Sequence, residues 1–233
     1  MPPADPTANP WTTLSTTVRY EDRWIQLLEN QVIDPAGQRT MYRTVHYKQR
    51  AAAVLPIDER GQAILVGQYR YTLDRYSWEC PGGGGAPEHP IEDSARRELE
   101  EETGYRAGKL MPLLNLDMSN GIGDEQATCV LAWDLTPGTP NPDPSEVLTI
   151  KRLPFAEAVR MAISGGIREA VSVALILRVH HLIETGEAPP DLIAAVRPRN
   201  PTRQRTGRAA AGRPTKKSGR HKPISKARNY KTG

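Results

Sequence analysis

The segment Arg97-Glu98-Leu99-Glu100-Glu101-Glu102 sets acidic side chains where they could do metal chemistry. Glu98 and Glu102 are four residues apart, so on a helix they share one face and lie about 6 Å apart along its axis. Glu101 borders the same face. Carboxylates this close repel one another unless a cation sits among them, and hard oxygen ligands suit Mg2+ or Mn2+. Immediately upstream, Pro81 runs into Gly82 to Gly85. A backbone without side chains can approach a metal or a phosphate closely. Taken singly, each feature has an ordinary reading. Glu100 to Glu102 would be a solvated helix face, and the glycines a flexible connector.

Their joint spacing carries more. Gly83 followed by Arg97-Glu98-Leu99-x-Glu101-Glu102-x-Gly104-Tyr105 resembles the box of the Nudix hydrolases, G-x5-E-x7-R-E-U-x-E-E-x-G-U with U apolar. One position departs: His89 stands where the pattern has Glu, with Glu88 just before it. In that family the first Glu is mainly a structural partner of the box arginine, here Arg97. Either Glu88 takes its place or Arg97 is held in another way, and His89 reads as a loop residue.

The order Gln68-Tyr69-Arg70, Trp78-Glu79-Cys80-Pro81, box, Ser119-Asn120-Gly121-x-x-Asp124-Glu125, then Glu146, is similar to the ADP-ribose pyrophosphatase branch of that family. The resemblance implies an α/β/α sandwich with a mixed sheet and a small N-terminal β segment. It implies that Glu98, Glu101 and Glu102, with the Gly82 carbonyl, hold Mg2+ or Mn2+. It places Arg70 and Glu79 at the substrate, puts Arg97 and Glu101 in the catalytic set, and makes Glu146 a catalytic carboxylate, with Asp143 as the fallback. Glu146 or Glu101 would take the proton of an attacking water. The expected reaction splits the diphosphate of a nucleoside diphosphate sugar, ADP-ribose first among them. ADP-ribose enzymes of the branch usually carry a proline in a Ser-Pro-Gly-like turn, where this chain has Ser119-Asn120-Gly121, so related diphosphates stay open as substrates. The rival from another class is a Nudix-fold binding or regulatory module without catalysis, for which His89 and Asn120 speak and the intact Glu98, Glu101 and Glu102 do not.

These residues need elements to position them. Pro90 to Gly104 reads as a helix, with Pro near its start, Glu92 and Asp93 in its first turn and Gly104 ending it. Trp24 to Ile33 and Met41 to Tyr47 read as strands around the turn Asp34-Pro35-Ala36-Gly37. Ala51 to Ile57 and Ala63 to Tyr69 read as a second strand pair, apolar enough to be buried on both faces. Further strands are expected at Gln126 to Trp133 and Glu146 to Leu153. Helices are expected at Phe155 to Ile163 and about Glu169 to Glu184, the latter with Val171, Leu175, Val179 and Leu182 as its apolar stripe. Tyr69, Tyr71 and Trp78 would stack on a base or pack as core, and core is the preferred reading.

Composition separates the chain into unlike parts. Its 233 residues divide into a Pro-rich flexible leader (1–10), the N-terminal β segment (11–50), a hydrolase domain (51–190) and a basic tail (197–233). Thirteen of the 31 basic residues lie in the tail with no acid, leaving 18 against 27 acids in residues 1–196, about −9. Lacking apolar residues, the tail should be disordered, and its charges suit non-specific contact with nucleic-acid phosphates. The N-terminal β segment commonly supports homodimers in the branch that the chain resembles. Two cysteines outside any CxxC pattern, no visible secretory leader and no apolar run of membrane length point to a cytoplasmic protein without membrane association.

Overall fold

A computed structural model describes Asp5 and residues 7–197, which belong to one compact unit, Met1–Pro198. The basic segment beyond Arg197 and most of the first six residues lie outside the described residues, and with them the expectations of a disordered tail and of most of a flexible leader.

The chain opens with an antiparallel meander of β1 (Thr12–Glu21), β2 (Ile25–Ile33) and β3 (Arg39–Tyr47), in the order β1-β2-β3. The turn at Asp34 to Gly37 joins β2 to β3, with Gly37 at φ 79° and the Asp34 carboxylate accepting from Ala36 and Gln38 N–H. β1 has no counterpart in the sequence reading. All ten of its residues are exposed, so no buried face imposes an alternating apolar pattern.

β4 (Arg50–Pro56) and β5 (Gln62–Arg70) are buried along most of their length, as their apolar runs imply. They are not partners in one sheet, however. One bridge, Ile57 to Ala63, joins their ends, and the strands then diverge. β5 lies between β6 (Arg75–Glu79) and β10 (Thr149–Pro154), in the order β10-β5-β6. β4 lies between β7 (Gly82–Gly85) and β9 (Gln126–Thr136), and β8 (Arg106–Asp117) closes that sheet as β7-β4-β9-β8. β4 and β9 run parallel while their other neighbours are antiparallel, so the sheet is mixed. β8 went unread because Pro112, beside a register shift, interrupts the strand pattern, a residue tolerated at such an edge. β10 starts at Thr149, which leaves Glu146 on the preceding loop and not in the strand expected there.

Alternate residues of the mixed sheet face opposite layers. Ala52, Val54, Val130 and Ala132 pack with Ala95 and Leu99 of α1 (Ile91–Thr103). Leu55, Cys129 and Leu131 pack on the other side with Val171, Leu175 and Val179 of α3 (Ala170–Thr185) and with α2 (Phe155–Ser164). This is the α/β/α sandwich with a mixed sheet. A last helix, α4 (Pro190–Val196), was too short to leave a periodic signal. Both cysteines are buried and free, and burial pushes the Cys129 thiol up to about 12, so it stays protonated. Tyr69 and Tyr71 are not core as read. Tyr71 is 93% exposed because it begins the 3₁₀ turn Tyr71–Leu73 that caps the β5–β6 hairpin.

Candidate active site

α1 presents its acidic face to the glycine strand. Pro90 precedes its first turn, and Gly104 ends it in the left-handed conformation (φ 76°), donating to the Glu100 carbonyl at 2.8 Å. The glycines are a paired strand and not a connector: Gly82 to Gly85 oppose Ala53 to Arg50. Their bareness lets the helix close in. A Cβ at Gly83 would come within 2.6 Å of the Glu98 carboxyl carbon, and one at Gly82 would run into the Ala52 carbonyl.

Arg97 ties the two elements together. Its guanidinium donates to the Gly84 carbonyl (2.8 Å) and to Glu101 (2.9 Å), and lies 2.7 Å from Glu98. Residue 89 has no part in this. His89 is exposed in the turn before α1, so the arginine is held in another way than through the missing glutamate or its neighbour Glu88. Glu102 is 2% exposed and accepts from Gly82 N–H at 3.0 Å. Burial pushes its carboxyl up to about 8, against the pull of Gly82 N–H and with the charges of Glu98 and Glu146 adding to the rise. Glu98, 8% exposed, is raised by burial too, partly offset by Arg97.

Sequence separation and space part ways here. Glu146, on the loop before β10, comes close enough to raise both Glu98 and Glu102. Asp143 turns to Ser145, accepting from its N–H (2.8 Å) and hydroxyl (2.6 Å). Across the β5–β6 pair, Arg70 makes a two-pronged ion pair with Glu79, which is 4% exposed. Arg70, Glu79 and Gly82 to Gly84 line one cavity of about 400 Å³, and two of those glycines are also the ones that Glu98 and Glu102 contact. The structure thus brings Arg70, Glu79 and Gly82 to one cavity, sets Arg97, Glu98 and Glu102 against its glycines, and leaves Glu146 near the last two, while Glu101 stands at the outer edge, half exposed on Arg97.

Trp24, Tyr47, Gln49, Met118, Glu125 and Glu169 complete the wall. Sequence reasoning assigned none of them a role, since they come from segments far apart along the chain that meet only in the fold. Asp124 binds the N-terminal sheet to this wall, accepting from Tyr47 N–H (2.8 Å) and lying 2.5 Å from His46 Nδ1.

The donor set fits a divalent cation. Glu98 and Glu102 are buried carboxylates balanced by one arginine and one backbone N–H, and a hard cation would remove the penalty that raises them. As they stand, no three His, Cys, Asp or Glu side chains among the described residues converge as ligands of one ion. Arg97 draws Glu98 and Glu101 to itself, and Glu102 turns to Gly82.

A model of the NUDIX domain matches residues 47–173. An ADP-ribose pyrophosphatase of Mycobacterium tuberculosis is 33% identical over 184 residues, covering 76% of this chain and 86% of that protein. One from Bacillus subtilis is 34% identical over 124 residues, covering 53% of this chain and 66% of the other. A solved structure, described as an ADP compounds hydrolase, superposes with a TM-score of 0.69 at 24% identity, covering 76% of this chain and 97% of its own. That likeness shows the shared fold.

Proposed function

The chain belongs to the NUDIX family, and from that premise we propose that it hydrolyses the diphosphate linkage of a nucleoside diphosphate sugar, ADP-ribose first among them. The observation that carries this is the pair of buried carboxylates, Glu98 and Glu102, behind the glycine wall of a cavity that also holds Arg70 and Glu79. Similarity to two ADP-ribose pyrophosphatases supports the choice of substrate, and Asn120 in place of the branch's proline keeps related diphosphates in the panel.

Glu98, Glu101 and Glu102, with the Gly82 carbonyl, would hold Mg2+ or Mn2+. Such an ion neutralises phosphate charge and acidifies a water when bound. The chain's own groups do the rest. Arg70, oriented by Glu79, binds the diphosphate or an adjoining hydroxyl through its remaining N–H groups. Arg97 balances Glu98 and Glu101 and keeps α1 on the glycine strand. Glu146 accepts the proton of the attacking water, with Glu101 as the alternative acceptor, a contribution of about 10²–10⁴-fold. The water oxygen forms the new P–O bond as the bridging P–O bond breaks. A nucleoside monophosphate and a sugar phosphate leave.

The rival reading, a Nudix-fold module without catalysis, rests on His89 and Asn120. Arg97's bonds to Gly84, Glu98 and Glu101 supply without residue 89 what that glutamate would provide. Two further contacts belong to this function. The N-terminal sheet, whose β1 exposes Leu14, Val18 and Tyr20, would support a homodimer, and the basic segment from Arg197 a salt-dependent contact with nucleic-acid phosphates.

The test is a panel of nucleoside diphosphate sugars incubated with Mg2+ or Mn2+, with the released nucleotides resolved by chromatography. ADP-ribose should give AMP, and turnover should cease with a chelator. A fully folded protein that cleaves no member of the panel would overturn the function.

A further inference from the structure

The turn from β6 to β7 is attached at four successive residues. The Glu79 carboxylate takes Arg70, Cys80 N–H donates to Ser172 Oγ (2.8 Å), the Pro81 carbonyl accepts from Val54 N–H (2.8 Å), and Gly82 N–H donates to Glu102 (3.0 Å). Arg70, Val54 and Glu102 belong to the sheets and to α1. Ser172 comes from the first turn of α3, across the mixed sheet from α1 and 92 residues along the chain from Cys80.

Ser172 is fully buried and uses both functions of its hydroxyl. It accepts from Cys80 N–H and donates to Glu169 at 2.6 Å. Glu169 caps α3 by accepting from Val171 N–H (2.9 Å) and Ser172 N–H (2.6 Å), and it also lines the cavity. One carboxylate and one hydroxyl thus connect the rigid start of a core helix to the backbone two residues before Gly82.

We propose that Ser172, locked by Glu169, is a positioning residue for the carboxylate site, holding the Glu79–Gly82 turn so that Gly82 meets Glu102 and Glu79 meets Arg70. The inference rests on the site's being the metal and diphosphate site described above. Without the hydroxyl, Cys80 N–H is buried with no acceptor, a loss that the turn can relieve only by shifting. Gly82 follows that shift, because two bonds along the same short turn fix its place. A hydroxyl that merely capped α3 would change helix stability and leave Gly82 where it is.

The experiment uses the 15N-labelled full-length protein with Ser172→Ala and Ser172→Thr, the latter keeping the hydroxyl. In the wild type, Cys80 and Gly82 amides should exchange with deuterium together with the first-turn amides of α3. Exchange at a separate, faster rate overturns the proposal without any variant, so it remains decidable if Ser172→Ala does not fold. In folded Ser172→Ala the Gly82 amide resonance should move, and calorimetric Mn2+ affinity should fall by about tenfold, as for other groups that orient metal-binding residues. Ser172→Thr should restore both. Unchanged Gly82 resonance and Mn2+ affinity in Ser172→Ala, or a folded threonine variant as defective as alanine, would also overturn it. Failure of the wild type to cleave the panel removes the functional reading alone. A Gly82 resonance that still moves on losing Ser172 supports the positioning role in either case.

Discussion

At the scale of single residues, burial dominates the behaviour of the site. Glu102 has one backbone N–H for company and its carboxyl is pushed up to about 8 from 4.5. A carboxyl whose folded value lies above its unfolded value favours the fold fully below the unfolded value. That contribution is lost as pH rises through about 8. The metal-free protein should therefore lose melting temperature between about pH 5 and pH 8. Glu102→Gln, which mimics the neutral form, should flatten that slope while abolishing metal-dependent turnover. Mn2+ should raise the wild-type melting temperature more at pH 8 than at pH 6, because it displaces the proton that the buried carboxyl otherwise keeps. Scanning calorimetry across pH with and without Mn2+ checks both. Equal slopes for wild type and variant, or undiminished turnover in Glu102→Gln, would remove Glu102 from the site.

At the scale of elements, the contact between α1 and the glycine strand decides the site's shape. Two glycines in that strand face different neighbours, so identical substitutions should differ in outcome. Gly83→Ala sets a methyl group against the Glu98 carboxyl, the end of a side chain that can swing away. It should cost little stability and most of the activity. Gly82→Ala meets the Ala52 carbonyl and the Ala53 Cα at 3.0 Å, backbone atoms that cannot yield without opening the β4–β7 pair. It should cost about 1–3 kcal/mol of stability. Denaturant melts and turnover measured side by side separate the two effects. A Gly83→Ala variant that melts lower than Gly82→Ala would contradict the close packing described here. The same contact shows what was legible in the sequence. Spacing located α1 and its caps, since Pro90, the early acids and Gly104 act locally. The glycines were legible as bare backbone but not as a strand, because four glycines have no side-chain alternation to report pairing.

At the scale of the whole molecule, the chain divides into two stretches of unlike charge. The described body carries the cavity and the carboxylates, whereas residues 197–233 carry thirteen positive charges and no acid. Deleting residues 198–233 should leave the melting temperature and the hydrolysis of small diphosphates unchanged, and should abolish salt-sensitive retention on nucleic acid. A large loss of small-molecule turnover on deletion would tie the tail to catalysis and overturn that division. Sedimentation velocity on the truncated protein tests the homodimer through the N-terminal sheet. A monomer at micromolar concentration would remove that sheet as an interface.

The sequence by itself determined the family resemblance, the acidic helix and the carboxylate spacing within it, because those depend on residues close together along the chain. The doubly apolar β4 and β5 pointed to an α/β domain, and the sandwich itself came with the family resemblance. Only the tertiary structure decided how Arg97 manages without a glutamate at position 89, which sheet each of β4 and β5 joins, and that Ser172 reaches Cys80. Those outcomes depend on groups many residues apart meeting through packed layers. Residue spacing along the chain carries no record of such meetings. The acid-rich helix could thus be found from its own residues, but its partners could be found only in space.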